Sequence, residues 1–176
     1  MSTIETLYRG DYLILQRDGH WEYVSRPSAR GAAFILAVTD AREIVLVEQF
    51  RVPLRARAIE LPAGIIGDEV GFADEAIDAA ALRELEEETG FRAESAEHLL
   101  SGPNAGGMTS EILHLIYARK LTRVHQGGGV AGEDITVHVV PLADVAQWLH
   151  RQGKSGKWID PRIYMGLWFA EHRSTS

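Results

Sequence analysis

A mixed α/β or α+β sandwich is the fold class that the sequence predicts. Apolar, β-branched runs of strand length fill the first sixty residues, and later runs of this kind alternate with segments of helical composition. The chain of 176 residues is long enough to bury its own core, and no stretch rich in Pro, Gly or Ser divides it. We therefore predict a single domain over residues 1–176.

Turn signals separate the first predicted strands. Tyr12–Gln16 and Trp21–Ser25 flank a turn signal at Asp18-Gly19, which predicts an antiparallel hairpin within residues 1–30. Ala32–Val38 and Glu43–Phe50 are apolar, β-branched runs on either side of a second turn. An isolated hairpin is marginal in water, so the N-terminal hairpin needs a surface to pack on.

The clearest helix spans Asp74–Thr89. Asp74 is a suitable N-cap, alanine is abundant, and Gly90 stands where a C′ glycine belongs. Further strands are predicted near Ile112–Ala118 and Thr136–Val140, and further helices near Leu142–Gln152 and Pro161–His172. Strands that precede and follow a central helix are typical of a layered sandwich.

The composition excludes several kinds of site. The chain has no cysteine, so disulfides, zinc–thiolate sites, iron–sulfur clusters and thiol nucleophiles are excluded. Its N-terminus lacks the pattern of a signal peptide, and no apolar run nears the roughly 20 residues that span a bilayer. We therefore expect a cytoplasmic protein without membrane contact. The net charge of −7 argues against nucleic acid as a partner but allows a small phosphate ligand held through a divalent cation.

The segment Glu75–Phe91 (EAIDAAALRELEEETGF) carries the most specific chemical pattern. On a helix, Glu84, Glu87 and Glu88 fall within an arc of about 100°, whereas Glu86 points almost the opposite way. Three carboxylates on one face repel one another, but a hard divalent cation bound through oxygen would turn that cost into a binding site. A solvated acidic face is the alternative explanation of the same pattern.

The order of the residues decides between these interpretations. Glu75 is followed, after seven residues, by Arg83-Glu84-Leu85-Glu86-Glu87-Glu88-Thr89-Gly90-Phe91, which fills every fixed position in the later part of the Nudix box. The sequence therefore resembles the Nudix hydrolase family, which implies an α/β/α sandwich around a mixed β-sheet. One position departs from the pattern, because Glu69 stands where the box begins with glycine. Gly64 looks like the equivalent glycine, ahead of a loop, Ile65–Asp74, that is lengthened by about five residues.

The resemblance implies a role for each matching position. The implied ligands of Mg²⁺, with Mn²⁺ as a substitute, are the carboxylates of Glu84, Glu87 and Glu88 and the backbone carbonyl of Ala63. The implied structural positions are Glu75 and Arg83, which would form an ion pair that orients the helix, and Gly90.

The resemblance extends over roughly residues 30–145 and points to the branch that acts on ADP-ribose and nucleoside diphosphate sugars. The matching segments are Val47–Arg51, Glu60–Gly64 and Glu133–Ile135. It implies that Arg51 contacts a substrate phosphate, that Glu60 helps to hold the base and that Glu111 borders the site.

The general base stays open between two glutamates. The resemblance places Glu133 on a mobile loop, as metal ligand, base or both, and Glu87 is the other catalytic candidate. Related members carry a second acidic residue two positions earlier, where this chain has Ala131. Four glycines between Gln126 and Glu133 give the backbone freedom, so we expect Glu133 to close over bound substrate.

The implied activity is magnesium-dependent hydrolysis of the pyrophosphate bond in ADP-ribose or nucleoside diphosphate sugars, which gives a nucleoside monophosphate and a sugar phosphate. Two alternatives remain open: a Nudix hydrolase of dinucleoside polyphosphates or nucleoside triphosphates, and a nucleotide-sensing domain without catalysis. In the resembling branch the N-terminal segment packs across to a second subunit. We therefore also expect a homodimer with residues 1–30 as its dimerisation element.

Overall fold

A computed structural model describes residues 3–27, 29–67, 75–130 and 132–172. The strands are β1 (Glu5–Arg9), β2 (Ile14–Asp18), β3 (Trp21–Ser25), β4 (Ala32–Ala37), β5 (Glu43–Arg51), β6 (Ala56–Glu60), β7 (Ala63–Ile65), β8 (Phe91–Pro103), β9 (Ile112–Arg123), β10 (Ile135–Pro141) and β11 (Trp158–Ile159). The α-helices are α1 (Ile77–Thr89), α2 (Val145–Lys154) and α3 (Arg162–His172), and a 3₁₀ helix covers Val52–Leu54.

Two four-stranded sheets form the centre of the described structure. One has the strand order β10-β5-β6-β11 and the other the order β7-β4-β9-β8. Both are mixed, since β11 runs parallel to β6 and β9 parallel to β4, while the other neighbours are antiparallel. Every residue of β4 is buried, as expected of a strand that is covered on both faces.

Helices cover the sheets on two sides. One apolar cluster joins α1 to the strands through fully buried side chains, among them Ala81, Leu85, Ile35 and Val45. A second cluster joins α2 and α3 to the opposite faces of the strands, among them Leu149, Ile163, Leu36 and Leu46. The predicted α/β/α sandwich is therefore confirmed. Among the residues that the structure describes, none of the helices has the length and apolar character needed to cross a bilayer.

The N-terminal hairpin is present but is part of a larger unit. β2 and β3 pair antiparallel up to Asp18 and Trp21, and the turn lies at Gly19 and His20, one residue later than predicted. A further strand, β1, pairs with β2 and makes a three-stranded antiparallel sheet. The sequence did not predict β1 because its five residues, ETLYR, contain no apolar run.

The strand β8 was also absent from the sequence prediction. Its residues, FRAESAEHLLSGP, mix polar and apolar types without strict alternation. The strand forms because it pairs with β9 along its whole length, from Phe91 opposite Arg123 to Pro103 opposite Ile112. It lies at the sheet edge, where polar side chains face solvent.

The box helix α1 begins at Ile77 with Ala76 as its N-cap residue. The predicted N-cap Asp74, as well as Glu69 and most of the lengthened loop, lie outside the described residues. The predicted end is confirmed: Gly90 adopts the left-handed conformation with φ 72°, and its N–H donates to the carbonyl of Glu86 at 2.8 Å.

We expect Gly90→Ala to destabilise the protein more than a glycine substitution that causes backbone strain alone. A Cβ at Gly90 would overlap the carbonyl group of His125, whereas a Cβ at Gly156, also at positive φ, would meet nothing within 4 Å. Gly156→Ala should lower the free energy of unfolding by about 1–2 kcal/mol, the cost of the left-handed conformation, and Gly90→Ala by clearly more. Urea unfolding followed by circular dichroism measures both, and equal losses would contradict the expectation.

Candidate functional site

The last two turns of α1 carry the carboxylates that the sequence singled out. The helix buries Ala81, Leu85 and Glu88 against the sheets, and Glu84 and Glu87 flank this buried face. A helix C-terminus carries partial negative charge, so carboxylates placed there are unfavourable unless positive groups offset them. The negative charges at this end of α1 therefore need nearby positive groups or a bound cation to offset them.

Glu88 is the most buried of these carboxylates, with 5% of its surface exposed. Its Oε2 accepts a hydrogen bond from the backbone N–H of Ala63, the first residue of β7, at 3.0 Å. Burial raises the pKa of Glu88 to about 8, the charges of Glu84 and Glu133 add to the rise, and the Ala63 hydrogen bond and the charge of Arg51 oppose it. Ionised Glu88 therefore needs more positive charge than these residues supply. The role of the Ala63 carbonyl as a metal ligand stays a prediction.

Gly64 provides the space in which the Glu84 side chain lies. A Cβ added at Gly64 would overlap Cγ and Cδ of Glu84. Because residue 64 has no side chain, Glu84 lies directly against the backbone of β7, beside the strand residue that binds Glu88. The two glutamates, one helical turn apart, thus contact consecutive residues of one strand.

Arg83 holds the carboxylates at the outer side of this group. Its guanidinium lies 3.1 Å from Glu84, 3.2 Å from Glu87 and 3.5 Å from Glu75. Glu75 is fixed in turn, because Arg30 donates a hydrogen bond to its backbone carbonyl. Arg83 therefore contacts Glu75, its expected ion-pair partner, but it also neutralises two glutamates that the sequence suggested as metal ligands.

Arg51 and Glu60 bind each other at the ends of β5 and β6. The Arg51 Nε lies 2.9 Å from Glu60 Oε1, and a second guanidinium nitrogen contacts Oε2. Gln49 donates to the same carboxylate at 3.3 Å. The Glu60 hydrogen bond raises the pKa of Arg51, and the charges of Glu88 and Asp160 raise it further, which places Arg51 within electrostatic reach of the buried carboxylate of α1.

The glycine-rich loop caps the end of α1. The N–H of Gly128 donates to the carbonyl of Glu88 at 2.8 Å, and the N–H of Gly129 donates to the carbonyl of Glu87 at 3.2 Å. The Glu133 carboxylate is held by the N–H of Val130 at 2.9 Å. The first half of the loop is therefore fixed to the helix, and any closing movement must begin after Gly129. Ala131 lies outside the described residues.

Glu111 lies in a different hydrogen-bonded group. Its carboxylate is bound by Arg26 at 2.8 Å and by the side-chain amide of Asn104 at 2.6 Å. Asn104 in turn accepts a hydrogen bond from Arg162 at 3.2 Å. The structure thus associates Glu111 with the segment after β3 rather than with α1, and its contact with a substrate stays a prediction.

Within the described residues, no three carboxylate or imidazole side chains already surround a common point as a metal cage. The reason is visible at Glu84 and Glu87, whose oxygens face Arg83. The donors themselves are oxygens, which suit a hard divalent cation, and the space at Gly64 admits the Glu84 carboxylate. The residues present therefore suit such a cation, both in the type of donor atom and in the space available.

Sequence reasoning missed three contributors to this arrangement. Gly64 was recognised only as a motif glycine, and neither Gln49 beside Glu60 nor the buried Asp160 was singled out as a site residue. The sequence offered one signal for Asp160, since it is an acidic residue within the otherwise apolar run from Trp158 to Pro161.

Comparisons with known proteins identify a family and several relatives of this chain. A family model described as NUDIX domain matches residues 29–159. The chain is 40% identical over 112 residues to the methanol dehydrogenase activator of Bacillus methanolicus, which is 64% of this chain and 57% of that protein. It is 41% identical over 103 residues to the ADP-ribose pyrophosphatase of Bacillus subtilis, which is 57% of this chain and 50% of that protein.

A third relative is matched over more of its length. The ADP-ribose pyrophosphatase of Mycobacterium tuberculosis is 31% identical over 150 residues, which is 81% of this chain and 70% of that protein. A solved structure described as the crystal structure of an ADP compounds hydrolase has a TM-score of 0.71 at 21% identity and covers 96% of this chain and 90% of that chain. This likeness shows that the two chains share a fold. The matched segments span only 57% and 50% of the first two relatives.

We expect Gly64→Ala to displace the Glu84 carboxylate and so to weaken divalent-cation binding at least tenfold, a loss of about 1.4 kcal/mol. The matched control is Gly153→Ala on α2, where a Cβ would meet only Ile159 at an ordinary 3.7 Å. Isothermal titration of each variant with Mn²⁺ measures the affinity, and thermal melting checks that both variants fold. Equal affinity in wild type and Gly64→Ala would remove Glu84 from the cation site.

Proposed function

Since this chain belongs to the Nudix family, we propose that it hydrolyses the pyrophosphate bond of ADP-ribose or of a related nucleoside diphosphate sugar. The reaction would use a divalent cation, Mg²⁺ with Mn²⁺ as a substitute, and would give a nucleoside monophosphate and a sugar phosphate. The Bacillus subtilis and Mycobacterium tuberculosis relatives are both ADP-ribose pyrophosphatases, which supports this substrate class.

The observation that carries the proposal is the buried Glu88 beside Glu84 and Glu133. The charges of Glu84 and Glu133 add to the cost of ionising Glu88, which burial and the negative end of the helix dipole already make high. Stability alone does not call for such an arrangement, whereas binding of a hard cation does. The same helix end lies within electrostatic reach of Arg51, which is suited to bind phosphate.

The residues that would hold the cation are Glu84, Glu87, Glu88 and Glu133, with the carbonyl of Ala63. When bound, the cation supplies neutralising charge to the pyrophosphate and makes a coordinated water more acidic. Arg83 contacts Glu84 and Glu87, so its guanidinium would compete with the cation for their oxygens.

The chain's own residues would then perform two tasks. Arg51 is partly exposed and would exchange part of its contact with Glu60 for a substrate phosphate oxygen, which positions the pyrophosphate. A carboxylate would accept a proton from the attacking water. The oxygen of that water would bond to phosphorus, and the bridging oxygen would leave with the other phosphate. Glu133 is the first candidate for this base, because the Val130 N–H orients its carboxylate near Glu88, and Glu87 is the second.

We also propose that residues 1–176 act as one domain and that the protein is a homodimer. The three-stranded N-terminal sheet exposes large side chains, among them Tyr8, Tyr12 and Trp21. Within the described residues, two backbone hydrogen bonds join it to the remainder of the chain, from the Val24 N–H to the Met108 carbonyl at 2.9 Å and from the Ser110 N–H to the Val24 carbonyl at 3.1 Å. A sheet with so little cover of its own is stabilised by burial against a second copy.

The decisive experiment is a substrate panel with and without Mg²⁺. We expect nucleoside monophosphate to form from ADP-ribose or a nucleotide sugar only with the cation present. In the same assay, Glu87→Gln should lower turnover by orders of magnitude, while the melting temperature of this variant stays near that of wild type. Hydrolysis of dinucleoside polyphosphates or nucleoside triphosphates alone would assign the protein to that substrate class. If no compound in the panel is hydrolysed, the protein would instead be a nucleotide sensor.

Glu133→Gln should lower kcat at least a hundredfold with little change in KM, because general-base catalysis typically contributes 10²–10⁴-fold. Glu86→Gln is the matched control, since Glu86 binds Arg92 on the exposed side of the same helix. Steady-state kinetics on the best substrate measures both variants. Full turnover by Glu133→Gln would transfer the role to Glu87.

Sedimentation equilibrium at micromolar concentration tests the dimer. We expect a mass near twice that of the 19.5 kDa chain. Tyr12→Ser, which reduces the exposed apolar surface of the N-terminal sheet, should shift the equilibrium toward the single chain. A single-chain mass for the wild type would refute the proposed dimerisation element.

A further inference from the structure

Asp134 directly follows the proposed base Glu133 and is bound by an arginine from a different strand. The guanidinium of Arg57, on β6, donates a hydrogen bond to the Asp134 carboxylate. The Asp134 side chain is 74% exposed, and ion pairs that are open to solvent add little to stability. Stability alone therefore does not account for this contact.

The segment that carries Glu133 is supported on both sides. Before it, two glycines of the loop donate hydrogen bonds to the last carbonyls of α1. After it, the pairing of β10 with β5 begins at Ile135. The Arg57 contact falls between these supports, at the residue that joins Glu133 to the sheet. It therefore acts where the chain changes from a loop to a paired strand.

Arg57 approaches Asp134 from the side of the sheet that faces away from α1. Alternate residues of a strand point the same way, so Arg57 shares a face of β6 with Ile59. Ile59 packs in the apolar cluster that joins the strands to α2 and α3. The charge of Glu133, by contrast, acts on Glu88 of α1. The neighbours Glu133 and Asp134 thus interact with opposite sides of the sheet, and a bond that fixes one of them restricts how the other can turn.

A buried carboxylate holds Arg57 in turn. Glu48 is 6% exposed, and its Oε1 lies 3.7 Å from the Arg57 Nε. Its Oε2 lies 2.7 Å from Lys157 Nζ and 2.9 Å from His138 Nε2. Although burial raises the pKa of Glu48, the hydrogen bonds of Lys157 and His138 keep this pKa below its ordinary value, so the carboxylate is charged. Desolvation offsets much of the attraction in such a group, and its main consequence is the orientation of the Arg57 guanidinium.

We propose that Arg57 is a positioning residue for Glu133. By binding Asp134 it fixes the segment that carries the proposed base and keeps the Glu133 carboxylate on the α1 side of the sheet. A displacement of about 1 Å in a reacting group can cost on the order of 100-fold in rate, so a contact of little value for stability is valuable here. The proposal rests on the proposed function for the task of Glu133.

Steady-state kinetics of Arg57→Met, Asp134→Ala and the double variant tests the role. Each single change should lower kcat at least about fivefold and leave KM within about twofold, because alignment of the base acts in the chemical step. The double variant should lose no more than Arg57→Met alone, since the two residues act as a unit. Additive losses, or an unchanged kcat in Asp134→Ala, would overturn the proposal. Thermal melting checks that each variant folds.

The Glu133→Gln background separates positioning from a general structural role. Once the base is removed, Arg57→Met should lower kcat no further, because no base remains to be aligned. A further loss of the same size would show that Arg57 acts through another group. Full turnover by Glu133→Gln would likewise refute the proposal.

Lys157→Met is the matched control. In the described part of the chain, the Lys157 side chain bonds to Glu48 and Gln152 and not to Asp134. The change should lower the melting temperature, because it leaves the buried Glu48 with less positive charge, but it should leave kcat at the wild-type value. A loss of kcat equal to that of Arg57→Met would assign the effect to the buried charges as a whole and would contradict the role of Asp134.

Hydrogen–deuterium exchange measures the anchor without turnover. Arg57→Met and Asp134→Ala should speed exchange in the peptide that carries residues 132–136 by a similar factor, whereas Lys157→Met should leave it unchanged. Unchanged exchange in the first two variants would overturn the proposal, and so would faster exchange with no loss of kcat. A chain that hydrolyses no compound would refute the proposed function, while the exchange rates would still show whether Arg57 holds this segment.

Discussion

The carboxylate of Glu88 is buried at the C-terminal end of α1, next to two other glutamates and in the negative end of the helix dipole. Much of the surrounding structure offsets this one unfavourable charge. The N–H of Ala63 donates to the carboxylate, Arg51 supplies a positive charge from the end of β5, and Arg83 neutralises Glu84 and Glu87. The positions of β7, of the end of β5 and of the box helix are therefore linked by electrostatics as well as by apolar packing.

The end of the helix also explains where the loop carrying Glu133 lies. The last carbonyls of a helix need donors, and here Gly90, Gly128 and Gly129 supply them. Glycine is required because a Cβ at Gly90 would overlap the backbone of the incoming loop. The same contacts that cap α1 thus deliver Glu133 to the carboxylate cluster. A proposed catalytic base and the proposed cation ligands share one structural support, so damage to the cap should disturb both.

A chain of polar contacts connects the N-terminal region to the β6–β11 edge. Arg26 binds Glu111, Asn104 bridges Glu111 and Arg162, and Arg162 binds the buried Asp160 after β11. The proposed dimerisation element and the β6–β11 edge therefore lie at the two ends of one hydrogen-bonded network. Partly buried charged groups of this kind fix orientation more than they add stability, because desolvation offsets much of their attraction. The network gives Glu111 a structural task that does not involve the substrate.

The sequence by itself determined the features that a single element encodes. Helical spacing was enough to place Glu84, Glu87 and Glu88 on one face, the conformational freedom of one residue predicted Gly90 as the helix end, and the apolar runs of β4 and β5 predicted buried strands. Only the tertiary structure decided which elements are neighbours. It made β8 a strand by pairing it with β9, placed Gly64 against Glu84, and gave Arg51 the partner Glu60 rather than solvent. The physical reason is that periodicity describes one segment at a time, whereas cross-strand pairing and burial of charge depend on residues far apart in the chain.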